Sequence, residues 1–244
     1  MSGLSDRSAY YQLNLACLAM RNEPSHRAEM CNQILRSEVF SILDQKEDWI
    51  FIELHHDQYR GWIEKKSLEY ANAIHQIAKQ TICISKNSFA YPFGCFLQKH
   101  ESNLAEIEFL CNKLTKGQAI SLLKQVFLDV PYLWGGRTTM GIDCSGLIQL
   151  YARILELALP RDAKDQIHVL NTVSWIDKQI GDLVFFQNEK NKITHVGIYI
   201  GEQKILHASG KVRIDHLSEE GIISSTTQNK SHPFHSIGAI ELSL

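Results

Sequence analysis

Asp143-Cys144-Ser145-Gly146-Leu147-Ile148-Gln149-Leu150-Tyr151-Ala152-Arg153-Ile154-Leu155-Glu156-Leu157-Ala158-Leu159-Pro160 is the stretch on which the fold turns. Leu147, Leu150, Tyr151, Ile154, Leu155 and Ala158 recur at intervals of three and four, which predicts a helix with one apolar face. Pro160 ends the run, because the residue before a proline is driven out of helical geometry. Asp143 stands where an N-cap belongs. Upstream, Ala119, Leu122, Leu123, Val126 and Phe127 predict a second helix that stops before Val130-Pro131. Downstream, Gly181 to Phe186, His195 to Ile200 and Lys204 to Ala208 are apolar, strand-like runs separated by glycine and polar turns. Helices first and strands afterwards predict an α+β domain whose antiparallel sheet packs on its helices.

The N-terminal half has a different grammar. Val39-Phe40-Ser41-Ile42-Leu43 and Trp49-Ile50-Phe51-Ile52-Glu53-Leu54 flank the polar turn Asp44 to Asp48, and Arg60-Gly61-Trp62-Ile63 opens a further strand. Short strands at this spacing predict a small barrel. Beyond it, Glu69 to Lys79 reads as helical and Thr81 to Ser85 as a strand, with Tyr91-Pro92-Phe93-Gly94 punctuating a connecting segment. The expected division is a barrel at 1–70, a linker and connecting segment at 71–116, and an α+β domain at 117–244.

Composition narrows the function classes. In 244 residues, 25 basic and 27 acidic side chains give a net charge of −2, without the basic excess of a nucleic-acid binder. Apolar residues at 44% and charged ones at 21% supply a core and exclude a disordered chain. No apolar run reaches the roughly 18–20 residues that cross a bilayer, so no membrane partner is expected. Met1 to Arg7 shows no basic stretch leading into an apolar region, and the expectation is a cytoplasmic protein. The six cysteines are too sparse for a disulfide scaffold, and none forms a C-x-x-C pair. His55-His56 and the His232/His235 pair lack zinc-site spacing and read as surface histidines; neither metal nor cofactor is expected. Gly135-Gly136 is not a phosphate loop, since no Gly-Lys-Ser/Thr follows.

One cysteine is placed for chemistry. Cys144 begins the helix, where the macrodipole and unpaired N–H groups favour thiolate, and such thiols fall from about 8.5 to roughly 3.5–7.5. The alternative is a small buried hydrophobe. A nucleophilic thiol needs a base, and the base needs something to orient it. His195 and His207 lie near each other if their strands pair as a hairpin across Gly201-Glu202-Gln203. In that arrangement His195 serves Cys144 and His207 fixes the tautomer of His195.

Six motifs in order carry a resemblance to a known family. Pro131-Tyr132-Leu133-Trp134-Gly135-Gly136, Asp143-Cys144-Ser145-Gly146-Leu147, Leu159-Pro160-Arg161-Asp162 with Gln166, Gly181 to Phe186, Thr194 to Tyr199 and Ile205 to Gly210 resemble the NlpC/P60 cysteine peptidases over about residues 117–244. The resemblance implies a papain-like domain with Cys144 as nucleophile, His195 as base, His207 as orienter and Tyr132 as a side-chain oxyanion donor beside the Cys144 N–H. A phenol packed in the core is the alternative for Tyr132. Met20 to Met30 and Asp57-Gln58-Tyr59-Arg60-Gly61-Trp62-Ile63 look like the bacterial SH3-like barrel found ahead of this domain in cell-wall-recycling members. That likeness implies that Tyr59, with Asp162 as acidic partner, meets the substrate's free N-terminal amine. Groups around Asp143 and Ser145 would hold the D-glutamate. Some members have serine after Arg-Asp; Ala163 stands there in this chain.

The function so implied is a cytoplasmic γ-D-glutamyl-L-diamino-acid endopeptidase that trims murein peptides with a free N-terminal L-Ala. The competing readings are a secreted hydrolase of intact wall and a silent wall-binding protein. Cys144, His195 and His207 are all present, as an active enzyme requires.

Overall fold

The computed structural model describes residues 10–86, 88–97 and 108–242. Met1 to Arg7, on which the leader reading rests, and residues 98–107 of the connecting segment lie outside the described residues. The chain forms two compact units, Met1–Asn112 and Lys113–Leu244.

The first unit is built on strands β1 (Tyr10–Leu13), β2 (Cys17–Arg21), β3 (Met30–Leu35), β4 (Val39–Lys46), β5 (Trp49–Leu54), β6 (Arg60–Glu64) and β7 (Ala71–Ile74). They make one antiparallel sheet in the order β3-β2-β6-β5-β4-β1-β7. Alternation in β5 buries Ile50, Ile52 and Leu54 while Phe51 and Glu53 stay partly exposed. The buried set packs with Leu13, Met20, Ile34, Phe40 and Ile63 into one apolar core. The helix expected over Glu69 to Lys79 does not form. A 3-10 turn covers Lys65–Tyr70, and Ala71–Ile74 then pairs with β1, Leu13 opposite Ala71 and Tyr10 opposite Ile74. The open edge of β1 offers unpaired N–H and C=O groups, and satisfying them outweighs a weak helical propensity. Of the strand expected at Thr81 to Ser85, Thr81–Ile82 (β8) pairs with Phe96–Leu97 (β9).

The second unit opens with α1 (Lys116–Phe127). Thr115 caps it through a reciprocal box with Gln118: the Thr115 hydroxyl accepts from Gln118 N at 3.3 Å, and Thr115 N donates to Gln118 Oε1 at 2.9 Å. A short hairpin, β10 (Arg137–Thr138) and β11 (Gly141–Ile142), leads into α2 (Cys144–Ile154). The spacing predicted one apolar face for α2, but every residue of it is buried, Gln149 and Arg153 included. It is the central helix of the unit. The one-turn helix α3 (Ala163–Gln166) follows.

The sheet then forms from β12 (Asn171–Val173), β13 (Leu183–Gln187), β14 (Ile193–Tyr199), β15 (Lys204–Ser209), β16 (Lys211–Ser218), β17 (Gly221–Ile223) and β18 (Lys230–Ala239). Its order is β12-β18-β13-β14-β15-β16-β17, and β18 also pairs with β17, which closes the last six strands into a ring. Val184, Phe186, Ile205, Leu217, Ile222 and Ile237 form an apolar cluster of this sheet. α2 lies against β14 and β15. This α+β arrangement, with helices before an antiparallel sheet, is the one the strand and helix spacing predicted. Asp182 ties the pieces together, accepting from Lys116 Nζ at 3.1 Å, Gln179 N at 2.8 Å and Ile240 N at 3.3 Å. No described helix is long and apolar enough to cross a membrane.

Candidate active site

Cys144 occupies the first position of α2, and Asp143 is its N-cap, accepting from Gly146 N at 2.6 Å. The same carboxylate accepts from Gly135 N at 2.8 Å and takes a two-pronged grip from Arg161, Nη1 to Oδ1 at 3.0 Å and Nη2 to Oδ2 at 2.6 Å. Arg161 Nη1 also donates to Ser145 Oγ at 2.8 Å, and Gln166 Nε2 donates to the Ser145 carbonyl at 3.1 Å. The Asp143 and Ser145 side chains are thus engaged in holding the helix start, and so are backbone groups of Asp143: its N–H donates to the Gly136 carbonyl at 3.2 Å and its carbonyl accepts from Leu147 N at 3.0 Å. Sequence reasoning quoted Arg161 only as part of a motif; its pairing with Asp143 across a loop is a structural finding.

β14 brings His195 to the same place. The N–H of Val196, the next residue, donates to the Cys144 sulfur, as does that of Ser145. β14 and β15 pair with Gly197 opposite His207, around a turn in which Gly201, Glu202 and Gln203 all have left-handed φ. His195 Nε2 and His207 Nδ1 are 2.8 Å apart, both residues being buried. Behind them a fourth group appears: His207 Nε2 lies 3.0 Å from Asp215 Oδ2 on β16. The carboxylate can only accept, so His207 carries its proton on Nε2 and accepts at Nδ1 from His195 Nε2–H. His195 Nδ1 is left with its lone pair. Proton positions follow from this network of partners.

Asp215 was absent from the sequence-based candidates. One signal existed, since in Lys211 to Ser218 the buried positions are Val212, Asp215 and Leu217, a carboxylate among apolar side chains. Its Oδ1 accepts from Arg213 Nη2, Ser225 N and Ser225 Oγ, each at 2.8 Å. Burial pushes this carboxyl up, but the bonds from His207, Ser225 and Arg213 outweigh it and hold it well below the usual carboxylate range. His232, read as a surface histidine, is half-buried with its ring 4.1 Å from that of His195; His235 is exposed.

The electrostatics correct one expectation. Helix position was to lower the Cys144 thiol; instead burial and then the Asp143 carboxylate push it up to about 12, against the smaller opposing pull of Val196 N–H, Arg161 and Ser145 N–H. At 6% exposure the loss of water outweighs the end of a helix. Burial, then His207 and His232, hold His195 well below its usual value. Burial thus disfavours the charged form of both groups, the Cys144 thiolate and the His195 imidazolium. Tyr132 is half-buried nearby. Burial, then Cys144 and Asp143, push its phenol up, so it stays a donor. The Cys144 N–H opens α2 and has no carbonyl four residues back to meet. Together these two donors suit a developing oxyanion.

Asp162 precedes α3 without capping it by its side chain; it lies 3.7 Å from Lys164 Nζ with 35% of its side chain exposed. Burial raises its carboxyl. Tyr59 belongs to the first unit, just before β6, where its N–H donates to Asp57 Oδ1 at 3.1 Å. In that unit His56 lies 3.5 Å from Glu38 and 3.2 Å from Asp57. Among the described residues no group of three or more His, Cys, Asp or Glu is arranged to hold a metal ion.

A buried thiol at a helix start beside two hydrogen-bonded histidines on an antiparallel sheet is the arrangement of a cysteine peptidase domain. A profile of the NlpC/P60 family matches residues 129–231, and one of the bacterial dipeptidyl-peptidase SH3 domain matches residues 20–68. The chain thus carries a domain of the NlpC/P60 cysteine peptidase family behind a bacterial SH3 domain. It is 28% identical over 212 residues to a gamma-D-glutamyl-L-lysine dipeptidyl-peptidase of Bacillus subtilis, covering 72% of this chain and 71% of the relative. A protein of that name from Bacillus cereus is 25% identical over 241 residues, covering 78% and 72%. The crystal structure of an NlpC/P60 family protein from Bacillus cereus shares the fold, with a TM-score of 0.75 at 16% identity over 94% of this chain and 99% of that one.

Proposed function

We propose that this peptidase hydrolyses the γ-D-glutamyl-L-diamino-acid bond of released murein peptides that begin with a free L-alanine. The observation that carries the reading is the similarity to two proteins named gamma-D-glutamyl-L-lysine dipeptidyl-peptidase, which runs over more than 70% of this chain. A dipeptidyl-peptidase counts its two residues from a free amine. In the proposed reaction Cys144 Sγ attacks the γ-carbonyl carbon as its proton passes to His195 Nδ1. The oxyanion meets the Cys144 N–H and the Tyr132 hydroxyl. The C–N bond breaks as the His195 imidazolium gives its proton to the leaving α-amine, and water then hydrolyses the thioester with His195 again as base.

Asp162 supports the amine end of this reading. Its half-buried carboxylate is spent on no helix cap, and an ammonium group is a matching partner. Loss of one charged hydrogen bond costs about 1.5–3 kcal/mol, so N-acetylation of the substrate is expected to lower kcat/KM by ~10–100-fold. Rates on free and N-acetylated L-Ala-γ-D-Glu-diamino-acid tripeptides measure this directly, and Asp162→Asn should erode the ratio. Equal rates on the two substrates in the unmodified protein would discard the free-amine reading in favour of a hydrolase of intact wall. A peptidase confined to free-amine fragments acts after they leave the wall, so the proposal extends to a cytoplasmic role in cell-wall peptide recycling. Fractionation that recovers the protein outside the cytoplasm would sink that part.

A further inference from the structure

β18 is irregular where it crosses the site. Against β13, Phe185 pairs with Ser236 but Phe186 with Phe234; against β17, Gly221 pairs with Pro233 but Ile222 with Ser231. The residue skipped in the second register is His232. It holds a left-handed φ of 52°, which L side chains rarely adopt. Across from it Gly221 sits at φ +139°, and a Cβ there would come 2.5 Å from the His232 carbonyl oxygen. A bulge, a left-handed non-glycine residue and an obligatory glycine therefore converge on one histidine. Such features persist where the surrounding structure enforces them, and they concentrate at working sites.

Their combined result is a stacked ring. The His232 imidazole lies on that of His195 at 4.1 Å between centroids and 36° between planes. Phe186 is a second flanking ring, at 5.8 Å and 41°, and the His207 ring stands edge-on at 5.1 Å and 81°. His195 is tied along its ring plane by the Nε2 bond to His207, which leaves the tilt of the plane to its flanking rings. His232 makes no bond within the Cys144–His195–His207–Asp215 relay; its Nδ1 lies 3.0 Å from Ser231 Oγ.

We propose that His232 is a positioning residue for the peptidase reaction, its ring face holding the His195 imidazole in the plane that joins His207 to Cys144. The groups facing it are His195 on β14, His207 on β15 and Asp215 on β16. Burial and then His207 bring His232 down to about 4, against the pull of Asp215. The stacked face is thus uncharged near neutral pH, and it becomes a π surface for the imidazolium that forms during turnover.

This inference rests on the peptidase reading, and two substitutions separate them. His232→Asn removes the ring with a residue that tolerates left-handed φ, whereas His232→Phe keeps an aromatic face without a titrating group. The Asn variant is expected to lose ~10-fold in kcat with KM within about twofold, the scale of one aromatic or cation–π contact. The Phe variant should recover most of that loss. Should the Asn variant fail to fold, His232→Gly, which also suits the backbone, takes its place. Independently of any substrate, the ring resonances of His195 in NMR spectra should shift in the Asn variant and far less in the Phe variant. Unchanged kcat in the Asn variant, equal losses in both variants, or unmoved His195 resonances would each overturn the proposal. A parent protein that cleaves no murein peptide would count against the substrate reading alone, and the spectra would still decide the stacking.

Discussion

Asp215→Asn is expected to lower kcat by ~10³–10⁴-fold with the fold intact, the loss seen when a serine-protease triad carboxylate becomes an amide and its histidine takes the wrong tautomer. Three donors, Arg213 Nη2, Ser225 N and Ser225 Oγ, converge on Asp215 Oδ1, whereas His207 Nε2 faces Oδ2. An amide at this position turns its oxygen toward the three donors and its NH₂ toward His207 Nε2. His207 must then accept at Nε2 and carry its proton on Nδ1. That proton faces His195 Nε2, so His195 carries its own on Nδ1, where the thiol needs a lone pair. One substitution reverses two tautomers. Asp215→Ala imposes no such reversal and is expected to be the milder change, although it deletes more atoms. Single-turnover rates, with circular dichroism to confirm folding, distinguish the two. An Asn variant within tenfold of the parent, or one better than the Ala variant, would sink the relay as drawn.

Arg161→Ala is expected to destabilise the protein by about 3–5 kcal/mol, the usual cost of stranding one partner of a buried ion pair. Arg161 is 2% exposed and grips both oxygens of Asp143. Its removal leaves a buried carboxylate with the Gly135 and Gly146 N–H groups and the Ser145 hydroxyl as its named donors. The remaining negative charge lies next to Cys144, so the thiol is driven further from ionising and kcat falls as well. Arg161→Lys keeps the charge but not the two-pronged geometry and should fall between. Chemical denaturation measures the first effect; a loss under about 1 kcal/mol would show that the pair is not the brace it is taken for.

The central helix was legible because apolar residues at three- and four-residue spacing and an Asp before Cys144 are local signals. The hairpin carrying His195 and His207 was legible for the same reason, with Gly201 marking its turn. What lay hidden depends on register and burial. Asp215 meets His207 only because β16 pairs with β15 so that Arg213 stands opposite His207, and no spacing in the sequence states that pairing. His232 reaches His195 through a bulge, which shifts a side chain without altering the apolar pattern. The segment after Tyr70 looked helical in isolation and became β7 because the edge of β1 needed a partner. The thiol misled most. A helix N-terminus is visible in a sequence, but the nearly complete removal of water around Cys144 is not.

That last property reaches beyond peptide hydrolysis. Peroxide and alkylating reagents consume thiolates and spare protonated, shielded sulfur. A thiol that burial holds in its protonated form presents little thiolate to such chemicals. Generic electrophiles should therefore label Cys144 slowly, and oxidants should spare catalysis at doses that modify the exposed Cys111. Covalent inhibitors would have to enter as substrates do, carrying a carbonyl or nitrile to the place where the scissile bond belongs. The guard on the sulfur and the choice of substrate become one device.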